Sequence, residues 1–558
     1  MTNLMQPDLP ETYYLDNVHT LFAHVRRVYS DILEPGSLQF LQQFADLGAD
    51  AQMLCIRLHN RSPDCYRRSK LNYSEIGSLD AAIDELAQHG FIQLNGALER
   101  PDLLALYTLA ELRALLQDFP ALANIGKLRR NEFEQALLES GDSEFFACLA
   151  AQDDWLQLLR RDEYLLCQML FFGNLNQSMT DFVLSDLGLY QYESYRIDPA
   201  HRPYRKRAEI QQHWLLYQLQ TLFEIADNSD SDALHQLSRQ IPGDIDTQAP
   251  GFRKSEQLRY EMARQLERLG EFDTANELYR QCLLPPSRER RARIHDQRGK
   301  PRKALKLCRR IIAQPLDEQE LQFACQFSLR LCKRHDLDPP AAAEQLRITH
   351  RPQIIDLELD YQDSVEVAVA DYYNAATAGN RCYYVENSLF NGVLGLLLWE
   401  VVFAPLPGAF YNPFQYRPSD FYAHDFCKRR RRLLERSWAG IDDNEDIWRR
   451  VSECWQQKQG LMNPLVNWQA LDLPLIRLAL ERIEHTHWRS VFERILQDLR
   501  NNRAGFPDLV HFPAEGGYCL VEVKGPGDSL QRNQQRWMQH FEAQGIPHCL
   551  ARVSWCNR

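Results

Sequence analysis

Three charged residues inside one β-rich segment constrain this chain more than any other feature. The stretch GFPDLVHFPAEGGYCLVEVKG, residues 505–525, is apolar and turn-rich, yet it carries Asp508, Glu522 and Lys524. Burying charge in a sheet is costly unless the groups pair or hold a metal. Side chains alternate along a strand, so in CLVEVKG Val521 and Val523 face one side while Glu522 and Lys524 face the other. Gly516-Gly517 permits a tight reversal after DLVHF, which pairs the two strands antiparallel. Asp508 then starts the first strand, and pairing brings its carboxylate near that of Glu522. Two carboxylates so placed repel unless one is protonated or a cation sits between them. Mg²⁺ suits the set, because it is hard, takes oxygen ligands and keeps waters. Lys524, on the same face, can orient or help deprotonate a water and stabilise charge on a phosphate. That is the logic of metal-assisted phosphodiester hydrolysis. For a bare Glu-x-Lys, an edge strand with a solvated ion pair is the simpler reading. The Pro-Asp, the Gly-Gly reversal and VEVKG in series count against it.

The rest of the chain bounds what such a site serves. At 558 residues, three or four domains are expected rather than one. No apolar run reaches the roughly 18–20 residues that span a bilayer, and the longest, Val393–Phe403, contains Glu400. The N-terminus lacks a secretory pattern. Fourteen cysteines without a CxxC pair fit reduced thiols in a cytoplasm and argue against a zinc ribbon. A net charge of −12 argues against a nucleic-acid partner, but the basic residues are clustered. RPYRKR (Arg202–Arg207) includes Arg205 and Arg207, and KRRRR (Lys428–Arg432) includes Arg430. Ser287–Arg310 holds eleven Lys/Arg, among them Arg291, Arg298, Lys300 and Arg302, against Glu289 and Asp296. Any one cluster reads as a solvated helix face; three on an acidic chain favour a polyanion surface.

The pattern along the chain is mainly α, with strands at the end. Residues 1–72 read as a helical domain, with Leu38, Leu41, Phe44 and Leu47 at near-helical spacing. Residues 73–165 read as short capped helices: Ser78 caps one that ends at Gly90, and Thr108–Glu111 is a capping box. The basic connection GKLRR, with Lys127, Arg129 and Arg130, joins two short helices there, an arrangement that resembles a SAP DNA-binding module. Residues 166–370 are helical and contain a repeat. Gly270, Ala275 and Tyr279 recur as Gly299, Ala304 and Cys308, a period of 299 − 270 = 29 residues. Small residues at turns and helix contacts suit stacked helical hairpins, and the array is TPR-like. Residues 371–558 form the last domain, where strand signals appear.

Pro507-Asp508 with Glu522-Val523-Lys524 is the PD-(D/E)XK nuclease signature. GFPDLV, LVEVKGPGDSL and Gln534, three residues before Trp537, resemble a VRR-NUC domain. Upstream, YRRSKLNYSEI, FVLSDLGLYQYESY and NSLFNGVLGLLLWEVVF resemble the Fanconi-associated nuclease family along almost the whole chain. The resemblance implies a bacterial member with a C-terminal α/β restriction-endonuclease-like domain, located in the cytoplasm at the nucleoid. It implies a Mg²⁺- or Mn²⁺-dependent nuclease acting on branched or 5′-flap duplex DNA, trimming 5′→3′, in interstrand crosslink repair. It implies a metal ligand at Glu386, in YYVENSLFNG, beside Asp508, Glu522 and the main-chain carbonyl of Val523. Read locally, Glu386 is equally a charge favoured by a helix N-terminus. The resemblance also places Gln534 near the site; read locally, it is a polar helix-surface residue. The ubiquitin-binding zinc finger of the animal proteins is not expected. Two other readings stay open: a non-catalytic scaffold for DNA junctions, and a related metal nuclease acting on RNA.

Overall fold

The computed structural model describes residues 11–61, 64–177, 190–227, 229–346 and 350–556. Of FVLSDLGLYQYESY, residues 182–189 lie outside the described residues. The chain is mainly helical and divides into two compact units, Met1–Leu187 and Gly188–Arg558. Among the described residues no helix is long and apolar enough to cross a membrane.

The first unit opens with helices Tyr13–Tyr29, Pro35–Asp46 and Ala49–His59. Leu41, Phe44 and Leu47 enter the core as their spacing predicts, while Phe40 is buried where Leu38 is only half-buried. The Ser78 hydroxyl accepts from the Ala81 N–H and starts Leu79–Gln88, which buries Ala82, Ile83 and Leu86. Gly90 follows at φ +72°, a conformation glycine adopts without penalty. The Thr108–Glu111 capping box forms and starts Leu109–Leu116. A 3-10 helix, Pro120–Lys127, follows, GKLRR runs from its end into Arg130–Ser140, and Leu112, Leu116, Phe133, Leu137 and Phe145 share one core. Strands β1 (Cys65–Arg67), β2 (Ile92–Leu94) and β3 (Trp155–Leu158) form an antiparallel sheet in the order β1-β3-β2. Strands of three or four residues are too short to display a period of two, so the sequence does not reveal them.

In the second unit, Phe252–Arg268 with Phe272–Gln281 and Ser287–Gln297 with Pro301–Ala313 form two successive helical hairpins. The repeat maps onto them directly. Gly270 (φ +89°) and Gly299 (φ +67°) end the first helix of each, and Ala275, Ala304, Tyr279 and Cys308 are fully buried. The second sheet comprises β4 (Ile354–Leu359), β5 (Arg381–Tyr384), β6 (Leu509–Phe512), β7 (Cys519–Lys524) and β8 (His548–Trp555). Its order is β4-β8-β7-β6-β5, parallel across β4-β8-β7 and antiparallel across β7-β6-β5. The sheet thus draws in a strand and the helix Val365–Ala376 that begin before residue 371. Its core is Leu357, Val369, Leu509, Val521, Val523, Ala551 and Val553. Val521 and Val523 pack inward, leaving Glu522 and Lys524 for the opposite face.

Candidate active site

The Gly516-Gly517 reversal forms, with φ +119° and +72°, and β6 pairs β7 with Leu509 opposite Val521. One further step of that register sets Asp508 against Glu522. The Asp508 Oδ2 accepts from the Val523 N–H at 2.9 Å. Its main-chain carbonyl accepts the N–H groups of Val385 and Glu386, both at 2.9 Å. Glu386 is therefore fixed to the site through the backbone of Asp508.

Glu386 sits at φ +31°, in the left-handed region, which costs a non-glycine residue roughly 1–2 kcal/mol. Such strain concentrates where function requires a side chain to be aimed. The Glu386 carboxylate accepts from the Tyr384 hydroxyl at 2.8 Å and from Asn387 Nδ2 at 2.9 Å. Asn387 Oδ1 in turn accepts the N–H groups of Gly505 and Phe506, at 2.9 and 3.3 Å. The loop before Asp508 and the loop carrying Glu386 are thus tied together.

Glu522 is fully buried. Its Oε1 lies 2.7 Å from Lys524 Nζ and accepts from Gln534 Nε2 at 2.6 Å, while Oε2 has no hydrogen bond. Gln534 stands in the first turn of Arg532–Gln544, where its Oε1 also accepts the Gln531 N–H at 2.9 Å. Burial pushes the Asp508 carboxyl up to about 6, against the Val523 N–H and Lys524, with Glu366 and Glu386 adding to the rise. Burial, then the nearby Asp508, pushes Glu522 up to about 7 against Lys524. A buried, unpartnered carboxylate oxygen and two carboxyls held reluctant to ionise are what oxygen ligands for a hard cation look like without one. The donor set therefore fits a divalent ion. Among the described residues, the oxygens of Glu386, Asp508 and Glu522 do not all close within 4.8 Å of one another, as the atoms of His350, Glu542 and His548 do. Tyr384 and Asn387 hold the first, and Lys524 and Gln534 hold the last.

The titrations give a signed expectation. Unfolded carboxyls titrate near 4, so the raised groups contribute stability below about pH 4 that is lost as pH rises through about 6 and 7. A divalent ion competes with those protons, so Mn²⁺ should raise the melting temperature far more at pH 8 than at pH 5. Equal shifts at both pH values in a thermal melt would contradict the placement of the ion on these carboxyls.

Sequence reasoning missed three neighbours. Glu366, in the first turn of Val365–Ala376, accepts from Ser364 Oγ at 2.9 Å and looks in sequence like an ordinary capped helix start. Tyr384 and Asn387 flank Glu386 in YYVEN, and only the hydrogen bonds identify them.

The basic residues separate by exposure. Lys127 and Arg129 are exposed, but Arg130 donates to the carbonyls of Tyr107 and Leu104 at 2.7 and 2.9 Å and pairs with Glu134. Arg205, Arg207, Lys300 and Arg302 are exposed, Arg298 pairs with Asp273, and half-buried Arg291 donates to Asn276 at 3.3 Å. Arg430, expected to face DNA, is instead 1% exposed. Its guanidinium forks onto Asp420 at 2.8 and 2.9 Å, donates to the Val401 carbonyl at 3.1 Å and lies 4.1 Å from the Phe426 ring centroid. A run of five cations on short helices must turn some inward, and a carboxylate partner decided which. Asp420→Ala should cost about 3–5 kcal/mol in urea unfolding, because it leaves Arg430 buried without its partner.

The VRR-NUC domain model matches residues 442–555, and the model for the FAN1 HTH domain matches residues 12–93. The chain is 33% identical over 557 residues to the Fanconi-associated nuclease 1 homolog of Pseudomonas aeruginosa, spanning 98% of this chain and 97% of that one. It is 25% identical over 607 residues to the homolog from Oryza sativa subsp. japonica, spanning 96% of this chain and 62% of that one. The crystal structure of paFAN1 bound to 2nt 5′flap DNA with gap superposes with a TM-score of 0.79 at 32% identity, over 98% of this chain and 99% of that one. A likeness that runs from the N-terminal helices through the last strand, and not through the nuclease segment alone, makes this chain a member of the Fanconi-associated nuclease 1 family.

Proposed function

We propose that this chain is a divalent-metal-dependent, structure-specific DNA nuclease that cuts near 5′ flaps, trims 5′→3′ and serves interstrand crosslink repair. Its family and its VRR-NUC domain make it a nuclease, a hydrolase acting on DNA. The observation that carries the metal-dependent reading is the fully buried Glu522, paired to Lys524 and Gln534 through one oxygen and unpartnered at the other. The 5′-flap DNA held by the similar solved structures supports branched DNA as the substrate.

Asp508, Glu522, Glu386 and the Val523 carbonyl would hold Mg²⁺ or Mn²⁺. Once bound, the ion supplies Lewis-acid stabilisation of the phosphate and an acidified water. Lys524, 2.7 Å from Glu522, aligns the attacking water and offsets charge that builds on the phosphate oxygens. Gln534 keeps the Glu522 carboxylate turned toward its unpartnered side. The raised carboxyls accept that arrangement best once deprotonated, so cleavage should climb with pH through about 6 to 7.

The helices on either side of GKLRR support a SAP-like module with Lys127 and Arg129 facing phosphates, and the two hairpins support a TPR-like array. With them goes the division 1–72, 73–165, 166–370 and 371–558. A DNA substrate fits a cytoplasmic location. Each phosphate that a side chain no longer neutralises lowers the slope of log K against log[salt] by roughly 0.9. Lys300→Ala with Arg302→Ala should therefore flatten it by roughly 1.8 if both touch DNA. An unchanged slope in fluorescence anisotropy would return them to a solvated helix.

The test of the function is a substrate panel. Labelled 5′-flap, 3′-flap, blunt and RNA-flap duplexes are incubated with Mg²⁺, Mn²⁺ or EDTA. Metal-dependent cutting of the 5′ flap in preference to the other substrates is expected. Binding without cleavage would favour the junction scaffold, and cutting of RNA in preference would favour the RNA nuclease.

A further inference from the structure

His350, Glu542 and His548 come from three separate segments. His350 lies four residues before β4, Glu542 near the end of the Arg532–Gln544 helix, and His548 opens β8. One ligand-capable atom from each lies within 4.8 Å of the other two. The two Nε2 atoms of His350 and His548 are 2.9 Å apart, and His350 Nδ1 is 4.0 Å from Glu542 Oε2. The His350 side chain is 15% exposed.

With both rings neutral, the hydrogen bonds of this cluster fix both tautomers and leave one ring nitrogen open. His548 Nδ1 lies 2.9 Å from the Ile546 carbonyl, which can only accept, so Nδ1 carries the proton and Nε2 presents its lone pair. His350 Nε2 must then be the donor between the rings, which leaves His350 Nδ1 as a lone pair facing the Glu542 carboxylate. A metal cation can take the place of the proton between the two rings, with the Glu542 carboxylate within ligand reach. A carbonyl fixing the far nitrogen of a ring is also what holds metal-bound histidines in their ligating tautomer.

We propose that His350, Glu542 and His548 form a second metal site, distinct from the carboxylate set, that takes a borderline ion such as Zn²⁺. Two imidazole nitrogens and a carboxylate suit that ion and leave a position for water. Gln534, which touches Glu522, and Glu542 are eight residues apart on one helix, about 12 Å along its axis. The site is structural. β4 is an edge strand paired to β8 alone, with Ile354 opposite Leu550 and the Gln353 carbonyl accepting the Leu550 N–H at 2.8 Å. An ion held by His350, His548 and Glu542 staples the point where the chain enters the sheet to β8 and to the helix that carries Gln534.

Cobalt(II) tests this, since its visible bands are strong in a low-coordinate site with imidazole ligands and weak in an all-oxygen one. Co²⁺ is titrated into the full chain, wild type and Asp508→Asn. Both should show one equivalent of strong bands that Zn²⁺ displaces. His350→Gln and His548→Gln should lose the bands, and Glu542→Gln, altered at an exposed side chain, should weaken Co²⁺ binding about tenfold or more. Zn²⁺ should raise the melting temperature of Asp508→Asn and not of Asp508→Asn combined with His350→Gln. Absence of strong bands in wild type, their loss in Asp508→Asn, or their survival in Glu542→Gln at wild-type affinity would overturn the site.

Discussion

Asp508→Asn and Glu522→Gln are each expected to slow flap cleavage by about a thousandfold or more, because on the proposed mechanism several kcal/mol of charge stabilisation depends on the ion they would hold. Both swaps are nearly isosteric, and phosphate contacts elsewhere carry DNA affinity, so binding should change little. The structure adds a sign that a simple loss of fold would not give. Burial raises both carboxyls, so at pH 8 without metal the ionised forms destabilise the native state. Glu522→Gln, which removes that charge and keeps an oxygen for Gln534 Nε2, should melt no lower than wild type in EDTA and should lose the stabilisation by Mn²⁺. Thermal melts and single-turnover cleavage on the same preparations check both halves.

Lys524→Ala is expected to reduce cleavage by about 10²–10⁴-fold, the range for a positioned proton-transfer group. Two routes lead to such a loss. Lys524 lowers the Glu522 carboxyl, so its removal raises that carboxyl further and weakens ion binding near pH 6. It also removes the ammonium that, on the proposed mechanism, would align water and meet phosphate charge. Raising the pH to 8.5 separates them. Mn²⁺ affinity of Lys524→Ala should recover toward wild type there, and cleavage should not. Lys524→Arg should recover little of the rate, since a planar guanidinium cannot take the place of a compact ammonium 2.7 Å from Glu522. Full recovery of cleavage at high pH would reduce Lys524 to a partner for Glu522.

Much of this site is legible in sequence because its chemistry is local. The Asp508–Glu522 pairing follows from two glycines and one register, and alternation alone sets Val521 and Val523 inward. The hairpin repeat is legible because Gly270 and Gly299 end helices at positive φ, where glycine is favoured. What is not legible depends on distant partners. Arg430 reads like its neighbours until Asp420 meets it inside the protein. β4 lies about 190 residues from its partner β8 and shows no local sign of it. Glu386 is ambiguous in sequence; its positive φ and its bond to the Asp508 backbone appear only in three dimensions. Glu366 hides as a helix-start residue, although it faces Asp508 strongly enough to raise its carboxyl.

The central claim is that Glu386, Asp508 and Glu522 together bind divalent metal. The most direct measurement is anomalous diffraction at the manganese edge from crystals of the full chain with 5′-flap DNA and Mn²⁺. A peak in ligand contact with Asp508, Glu386 and the Oε2 of Glu522 is the expected result. DNA bound with no peak there, or with manganese only at His350, Glu542 and His548, would contradict it.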